Sequence, residues 1–296
     1  MTQEEVYYRP PSEEDSFIIR VMHGCPHNAC TFCNLFKDIP CRVLPLNEVL
    51  AGLERDAASI GPQHLHLLTS MYLEGGDPLA IDSDYLLAVM ARARELFPAL
   101  NRFACYATAR FTIRKTREEL EALARAGLRR VFVGLESGSA ELLQSLRKGC
   151  TPGEIVLAAH MLRSAGIEVD VSMMLGIGGL ERSREHALRT AELLNAVRPV
   201  CVRIRTFTVK HDTELGADYL NGRFVLMGPH DILRELRLMS EGIKRRMRLL
   251  SEHWSNYIHF SAQMPEAKNK LLKHIDRHLA IPEEHFRQTG ITDEKS

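Results

Sequence analysis

Short apolar runs alternate with amphipathic stretches along the first two thirds of the chain. Residues 16–22, "SFIIRVM", predict a strand. "LNEVLAGLERDAASIGP" follows with Leu46, Leu50, Leu53 and Ala57 on one helical face, and Gly61-Pro62 stops it. The exchange repeats with a strand at 64–73, a helix in "DYLLAVMARARELFP" closed by Pro98, and a strand at 102–109. Thr116 and Glu119 have capping-box spacing and open a helix that Gly127 ends, before a fourth strand at 129–136. Thr151, Pro152 and Glu154 open another helix in their preferred places, Gly166 ends it, and 167–175 reads as the fifth strand. A helix over about 182–197 stops before Pro199, and the sixth strand covers 200–209.

Six strand–helix units in succession predict an α/β fold of parallel strands joined by right-handed crossovers. The pattern fits a doubly wound open sheet and a curved barrel alike. Either closure puts a reactive site at the carboxyl ends of the strands. The unusual loops fall there: a cysteine loop after the first strand, "EGGDP" after the second, "ESGS" after the fourth and "GIGG" after the fifth. Beyond 209 the rhythm changes. A helix is expected over 230–251, with Ile232, Leu236, Met239, Ile243, Met247 and Leu250 on one face, then another over 264–280 and a frayed tail over 281–296. The chain thus reads as a core, 1–209, with a mainly helical extension, 210–296. "KRRMRLL" reads as helix-terminal cations on a solvated face rather than a nucleic-acid patch.

Composition narrows the field. Of 296 residues, 45% are hydrophobic and 26% charged, as in ordinary soluble globular proteins. Lys+Arg and Asp+Glu both total 38, so nothing global steers the chain toward nucleic acid. No stretch approaches the roughly 20 apolar residues of a membrane span, and no signal-like start is present, so the cytosol is the expected location. Seven cysteines, an odd number with three inside nine positions, favour metal or redox chemistry over a disulfide framework.

Those three are Cys25, Cys30 and Cys33 in "HGCPHNACTFC". Thiolates suit zinc or an iron–sulfur cluster. Zinc would want a fourth ligand, which His23 or His27 could supply. A 4Fe–4S cluster normally takes four cysteines, so three leave one iron open to an outside ligand. The residues by themselves leave both readings standing. Cys41 reads as a spare thiol, an alternate ligand or a residue under the loop.

The cysteine loop, "EGGDP" (74–78), "GLESGSAELLQSLRKG" (134–149) and "MLGIGG" (174–179), in this order, resemble the radical S-adenosylmethionine (radical SAM) superfamily. The nearest likeness is to the branch holding the elongator catalytic subunit, the methylthiotransferases and oxygen-independent coproporphyrinogen oxidase. It covers about residues 16–209 and implies a partial (β/α)6 TIM-like barrel rather than an open sheet. The resemblance implies a 4Fe–4S cluster on Cys25, Cys30 and Cys33. It implies an oxygen-sensitive enzyme that reductively cleaves S-adenosylmethionine to a 5′-deoxyadenosyl radical, which abstracts hydrogen from an unidentified substrate. Phe32 would pack beside the cluster, near the adenine, or simply in the core. Gly75, Gly76 and Asp77 would receive the methionine ammonium, and Thr108 and Arg110 would face the cofactor. Glu136 would hold the ribose, Lys148 the methionine carboxylate, and Ile177 would lie against the adenine. An external donor such as flavodoxin or ferredoxin would supply the electron.

One departure stands out. The common superfamily pattern has three and then two residues between the cysteines; here it is four and then two. No second cysteine cluster, cobalamin domain or RNA-binding appendage is visible. Competing readings are a non-enzymatic iron–sulfur or zinc module for electron transfer, and a radical SAM nucleic-acid modifier. Arg203 and Arg205 alternate with Val202 and Ile204 on the sixth strand, so they either hold an anionic substrate or lie under a helix. "HWSNYIHF" (253–260) either caps the barrel mouth or docks as an ordinary segment.

Overall fold

Eight strands form a sheet in chain order: β1 Phe17–Arg20, β2 Ser70–Glu74, β3 Arg102–Ala107, β4 Leu128–Glu136, β5 Glu168–Leu175, β6 Cys201–Thr206, β7 Met247–Ser251 and β8 Phe260–Met264. This computed structural model describes residues 7–287 and 290–292. The pairs β1–β2, β2–β3, β3–β4, β5–β6 and β6–β7 are parallel, and β8 returns antiparallel to β7. The longer helices are α1 Leu46–Ile60, α2 Ser83–Leu96, α3 Arg117–Ala126, α4 Pro152–Ser164, α5 Gly179–Val197, α6 Pro229–Gly242 and α7 Lys268–Leu279.

Local chemistry sets the helix starts. Thr116 Oγ1 accepts the Glu119 N–H at 3.2 Å while Glu119 accepts the Thr116 N–H at 2.6 Å. Thr151 and Glu154 do the same for α4 at 3.2 and 2.7 Å. Each such cap contributes about 1 kcal/mol. Gly127 ends α3 in the left-handed region, φ 113°, as a C-terminal glycine should.

The chain divides into two compact units. The first comprises Met1–Asn28, Phe36–Val133 and His160–Val169. In it Met71, Leu73, Phe103, Cys105 and Val131 are buried on one face of the strands. Alternate positions carry Tyr72, Tyr106 and Phe132, meeting edge to face with ring separations of 6.0 and 5.8 Å. The same face holds the pairs Arg20–Glu74 (2.7 Å) and Arg102–Glu13 (2.8 Å).

The second unit comprises Ala29–Leu35, Gly134–Ala159 and Asp170–Ser296. Here α5 and α6 pack closely because Gly242 has no side chain; a Cβ would stand 2.7 Å from that of Ala191. Just beyond, Asn195 clamps the chain. Its Nδ2 donates to Gly242 O at 2.8 Å, and its Oδ1 accepts the N–H groups of Lys244 and Arg245 at 2.7 and 3.1 Å.

That clamp corrects the expected helix over 230–251. The helix stops at Gly242, and 247–251 instead form β7, which is buried between β6 and β8. The helix expected from 264 likewise starts at Lys268, after β8. The region after 209 is therefore helices plus two strands of the main sheet. Upstream, the second strand begins at Ser70 rather than 64, because Leu65–Leu67 make a 3₁₀ turn with Leu67 exposed. The first strand ends at Arg20, and Met22–His23 pair instead with Arg42–Val43. In the expected tail, Ile291–Thr292 pair with Val209–Lys210; residues 288–289 and 293–296 lie outside the described residues.

Candidate functional site

In the first unit the site is built from backbone. Gly24, φ 70°, opens the cysteine loop, and a Cβ there would stand 2.8 Å from Ile39 O and 2.9 Å from Cys41 Cα. Only glycine lets the loop lie so close on the 39–41 segment. The Cys41 main chain thus abuts the loop while the residue itself is exposed, and partial burial, then the neighbouring Cys25, push its thiol upward. The Gly24 carbonyl accepts the Gly76 N–H at 3.0 Å. A Cβ on Gly76 would fall 2.6 Å from Cys25 Cα, so the "GGDP" and cysteine loops touch main chain to main chain. The Asn28 N–H points at Cys25 Sγ, 3.5 Å away.

Asp77 is fully buried, and its Oδ2 accepts both the N–H (2.8 Å) and the hydroxyl (2.6 Å) of Thr108. The two residues brace the loop after β2 against the end of β3. Burial raises the Asp77 carboxyl to about 7, against the hydrogen bonds from Thr108. Arg110, on a short helix at Ala109–Thr112, reaches His27 Nδ1 at 3.4 Å.

A pH dependence follows from Asp77. Below about pH 4 the folded and unfolded chains both carry its proton. Between about 4 and 7 the unfolded chain releases it while the folded chain holds it, so stability from this group falls as pH rises. Asp77→Asn has no such term. Its stability relative to wild type is expected to improve by roughly 2–3 kcal/mol from about pH 5 to pH 8 in urea unfolding. An unchanged difference would mean that folded Asp77 is ionised.

In the second unit the centre is Glu136, where β4 ends. Its backbone is left-handed, φ 58°, an uncommon and costly state for a non-glycine residue. The twist turns a carboxylate that is only 5% exposed. Its Oε1 accepts from Lys148 Nζ at 2.8 Å, while among the described residues Oε2 is buried without a hydrogen-bond partner. Gly134 makes room for the pair: a Cβ there would stand 2.5 Å from Glu136 Oε1 and 2.8 Å from Lys148 Nζ. Burial works against the Lys148 ammonium, but the charges of Glu136 and Cys30 outweigh it and the net shift is upward. Lys148 therefore stays charged.

Phe32 and Ile177 share a buried apolar cluster with Leu142, Leu146 and Phe207, and Cys30, Cys33 and Met174 pack against it. Lys148 Nζ stands 5.9 Å from the Phe32 ring centre. Ile177 is 1% exposed, so it acts as wall rather than surface. The Thr31 N–H donates to Leu146 O at 3.0 Å, fixing the second half of the cysteine loop.

Three supporting residues escaped the sequence reading. Gly134 opens the stretch "GLESGS", but its residue type alone assigns it no role. His186 on α5 bonds Ser137 Oγ (2.8 Å) and Met174 O (3.0 Å), and burial lowers it to about 4, so the ring is neutral. Glu235 on α6 accepts the Gly176 N–H at 2.7 Å. Burial lifts Glu235 to about 7. Together they hold the "ESGS" and "GIGG" turns from behind; helix periodicity marks His186 and Glu235 as inward-facing but gives no partner.

The three loop cysteines form no disulfide among the described residues, and all are partly exposed. Among the described residues no group of three or more His, Cys, Asp or Glu side chains is gathered around a single ion position. A cubane asks for something else, each thiolate on a different iron, and soft sulfur donors suit it. The orphaned Oε2 of Glu136 and the room left by Gly134 suit a polar cosubstrate.

The Radical SAM superfamily's sequence profile matches residues 19–194, more than half of the chain. The 4'-phospho-dehydrooxetanocin synthase of Priestia megaterium is 23% identical over 214 residues, which cover 66% of this chain and 28% of that protein. Coproporphyrinogen III oxidase (HemN) from Escherichia coli, a radical SAM enzyme, superposes with a TM-score of 0.55 at 16% identity, covering 77% of this chain and 52% of its own. Elp3 from the archaeon Methanocaldococcus infernus gives 0.52 at 14% identity, covering 92% and 64%. The chain spans less than two thirds of each of these proteins, and at such identities the structural likeness is one of fold. With the profile match, this chain belongs to the Radical SAM superfamily, an enzyme on a partial (β/α)6 TIM-like barrel whose cofactors are a 4Fe–4S cluster and S-adenosylmethionine.

Proposed function

We propose that Cys25, Cys30 and Cys33 anchor the cluster and that Glu136, Lys148 and the Gly75-Gly76 main chain seat S-adenosylmethionine beside it. When bound, this pair supplies a one-electron cleavage that yields a 5′-deoxyadenosyl radical able to abstract hydrogen from a substrate. The observation that carries the reading is Glu136: strained, buried, held through Oε1 by Lys148, with Oε2 left for an incoming hydroxyl. Lys148 orients that carboxylate and offers positive charge to the methionine carboxylate. Gly75 and Gly76 present bare backbone to the ammonium. Asp77 and Thr108 act behind them as a brace, with Arg110 flanking the loop through His27. Phe32 and Ile177 supply an apolar wall against which Cys30 and Cys33 pack.

Residues 1–209 form the core and 210–296 the extension in this reading. An external donor such as flavodoxin or ferredoxin would supply the electron. Balanced charge supports a small or medium-sized substrate over nucleic acid. Among the described residues no helix is long and apolar enough to cross a membrane. Protein reconstituted with iron and sulfide without air, then given dithionite and S-adenosylmethionine, is expected to release 5′-deoxyadenosine, detected by mass spectrometry. Zinc in place of iron in protein purified without air would sink the reading.

A further inference from the structure

Arg203 and Arg205 lie two residues apart on β6, so they share one face, opposite Val202 and Ile204, which are fully buried. Their register neighbours are Ser172 and Met174 on β5, with Leu250 beside Arg203 on β7. None is acidic. Among the described residues neither guanidinium makes a hydrogen bond or ion pair, and Arg203 Nε is buried without a partner. Two like charges, partly desolvated and unpaired, cost stability unless an anion joins them.

A pinned loop stands at the same strand end. Thr206 N–H donates to Ser255 Oγ at 3.1 Å, Thr206 Oγ1 to Asn256 Oδ1 at 3.1 Å, and Asn256 Nδ2 to Ile204 O at 2.8 Å. Arg287 locks the other side, donating to Trp254 O (3.0 Å) and Ser255 O (2.7 Å). "HWSNY" therefore caps the carboxyl end of β6, where sites form in barrels of this kind. His253 Nδ1 accepts the Ser255 N–H at 3.2 Å, which leaves Nε2 as the donor of the neutral ring. Burial, then Arg205, Lys210 and Arg287 around it, hold His253 down at about 4.

We propose that this face of β6, with Arg203, Arg205 and His253, binds an oxyanion group of the substrate, a carboxylate or a phosphate. Guanidinium groups match both in a two-pronged way. Met174, the register neighbour of Arg205, packs in the same cluster as Phe32, Cys30 and Cys33, so a substrate held here adjoins the cysteine loop. The role of that group as a substrate handle rests on the function proposed above; anion binding itself does not.

Calorimetric titration of the cluster-loaded protein with inorganic phosphate, and separately with malonate, at fixed pH and ionic strength tests this. Saturable binding of one probe is expected, and which probe binds distinguishes phosphate from carboxylate. Arg203→Gln and Arg205→Gln should each weaken it roughly tenfold or more, with Arg205→Lys in between. Arg248→Gln, a solvent-facing control on β7, should not change it. Saturable binding of neither probe would overturn the proposal. So would glutamine variants that bind like wild type, or displacement of the probe by S-adenosylmethionine, which would give the site to the cosubstrate's own carboxylate. If a glutamine variant fails to fold, the charge-preserving Arg203→Lys and Arg205→Lys pair carries the test. The titration needs no turnover, and 5′-deoxyadenosine release is read separately, so either reading can fail alone.

Discussion

Cys30→Ala is expected to bring cluster iron and 5′-deoxyadenosine formation to background together. Cys30 stands against the apolar cluster around Phe32, and its charge is one of those that hold Lys148 protonated. On the function proposed above, removing one of three anchors would leave a cubane on two thiolates. Changes one shell further out already cost metal sites roughly 10–100-fold, so a lost ligand should exceed that. Loss of a small, partly exposed thiol should cost the apo fold less than about 1.5 kcal/mol. Iron and sulfide analysis beside mass spectrometry would show whether chemistry fails because the cluster is missing or because the chain is unfolded. Cys41→Ala is the control. Cys41 is exposed, its main chain abuts the loop and its thiol is pushed up, so the variant should keep its iron. Iron lost from that control instead would make Cys41 a ligand.

The Glu136–Lys148 pair should show a split between stability and binding. Glu136→Ala strands a buried ammonium, and breaking a buried pair this way costs about 3–5 kcal/mol. Lys148→Met strands the carboxylate with similar cost. The double variant Glu136→Gln/Lys148→Met removes both charges at nearly constant volume and should recover most of that stability in urea unfolding. It should not recover S-adenosylmethionine. Charge-assisted hydrogen bonds contribute about 1.5–3 kcal/mol each, so affinity in all three variants should fall roughly 10–100-fold. If the double variant binds as wild type does, the pair serves the fold alone.

Much of this was legible in the sequence because two periods dominate it. Strands buried by crossover helices read as short apolar runs, and Thr116, Glu119, Thr151 and Glu154 announce their helices by spacing alone. The end of the chain was harder for a physical reason. Met247 and Leu250 continue the helical spacing of α6, yet "MRLLS" is short enough to be a strand, and only pairing with β6 and β8 decides between them. The site divides similarly. Cysteines and glycine motifs are visible as residue types, but the left-handed Glu136, the vacancy at Gly134 and the buried His186 are properties of three-dimensional neighbours. Asp77 shows the limit: its motif points to the cosubstrate, while its hydrogen bonds go to Thr108.

The departure in cysteine spacing falls between two fastenings of the loop. One end is tied by the Gly24–Gly76 main-chain bond and the other by the Thr31–Leu146 bond, and both ties lie outside Pro26–Ala29. Inside the spacer, Asn28 turns through a left-handed φ of 38° and takes up length locally. The spacer also has holds of its own: Asn28 Nδ2 donates to Phe36 O at 2.8 Å, and Arg110 reaches His27 Nδ1 at 3.4 Å. The extra residue is thus housed in a knuckle with its own contacts, set between two main-chain moorings.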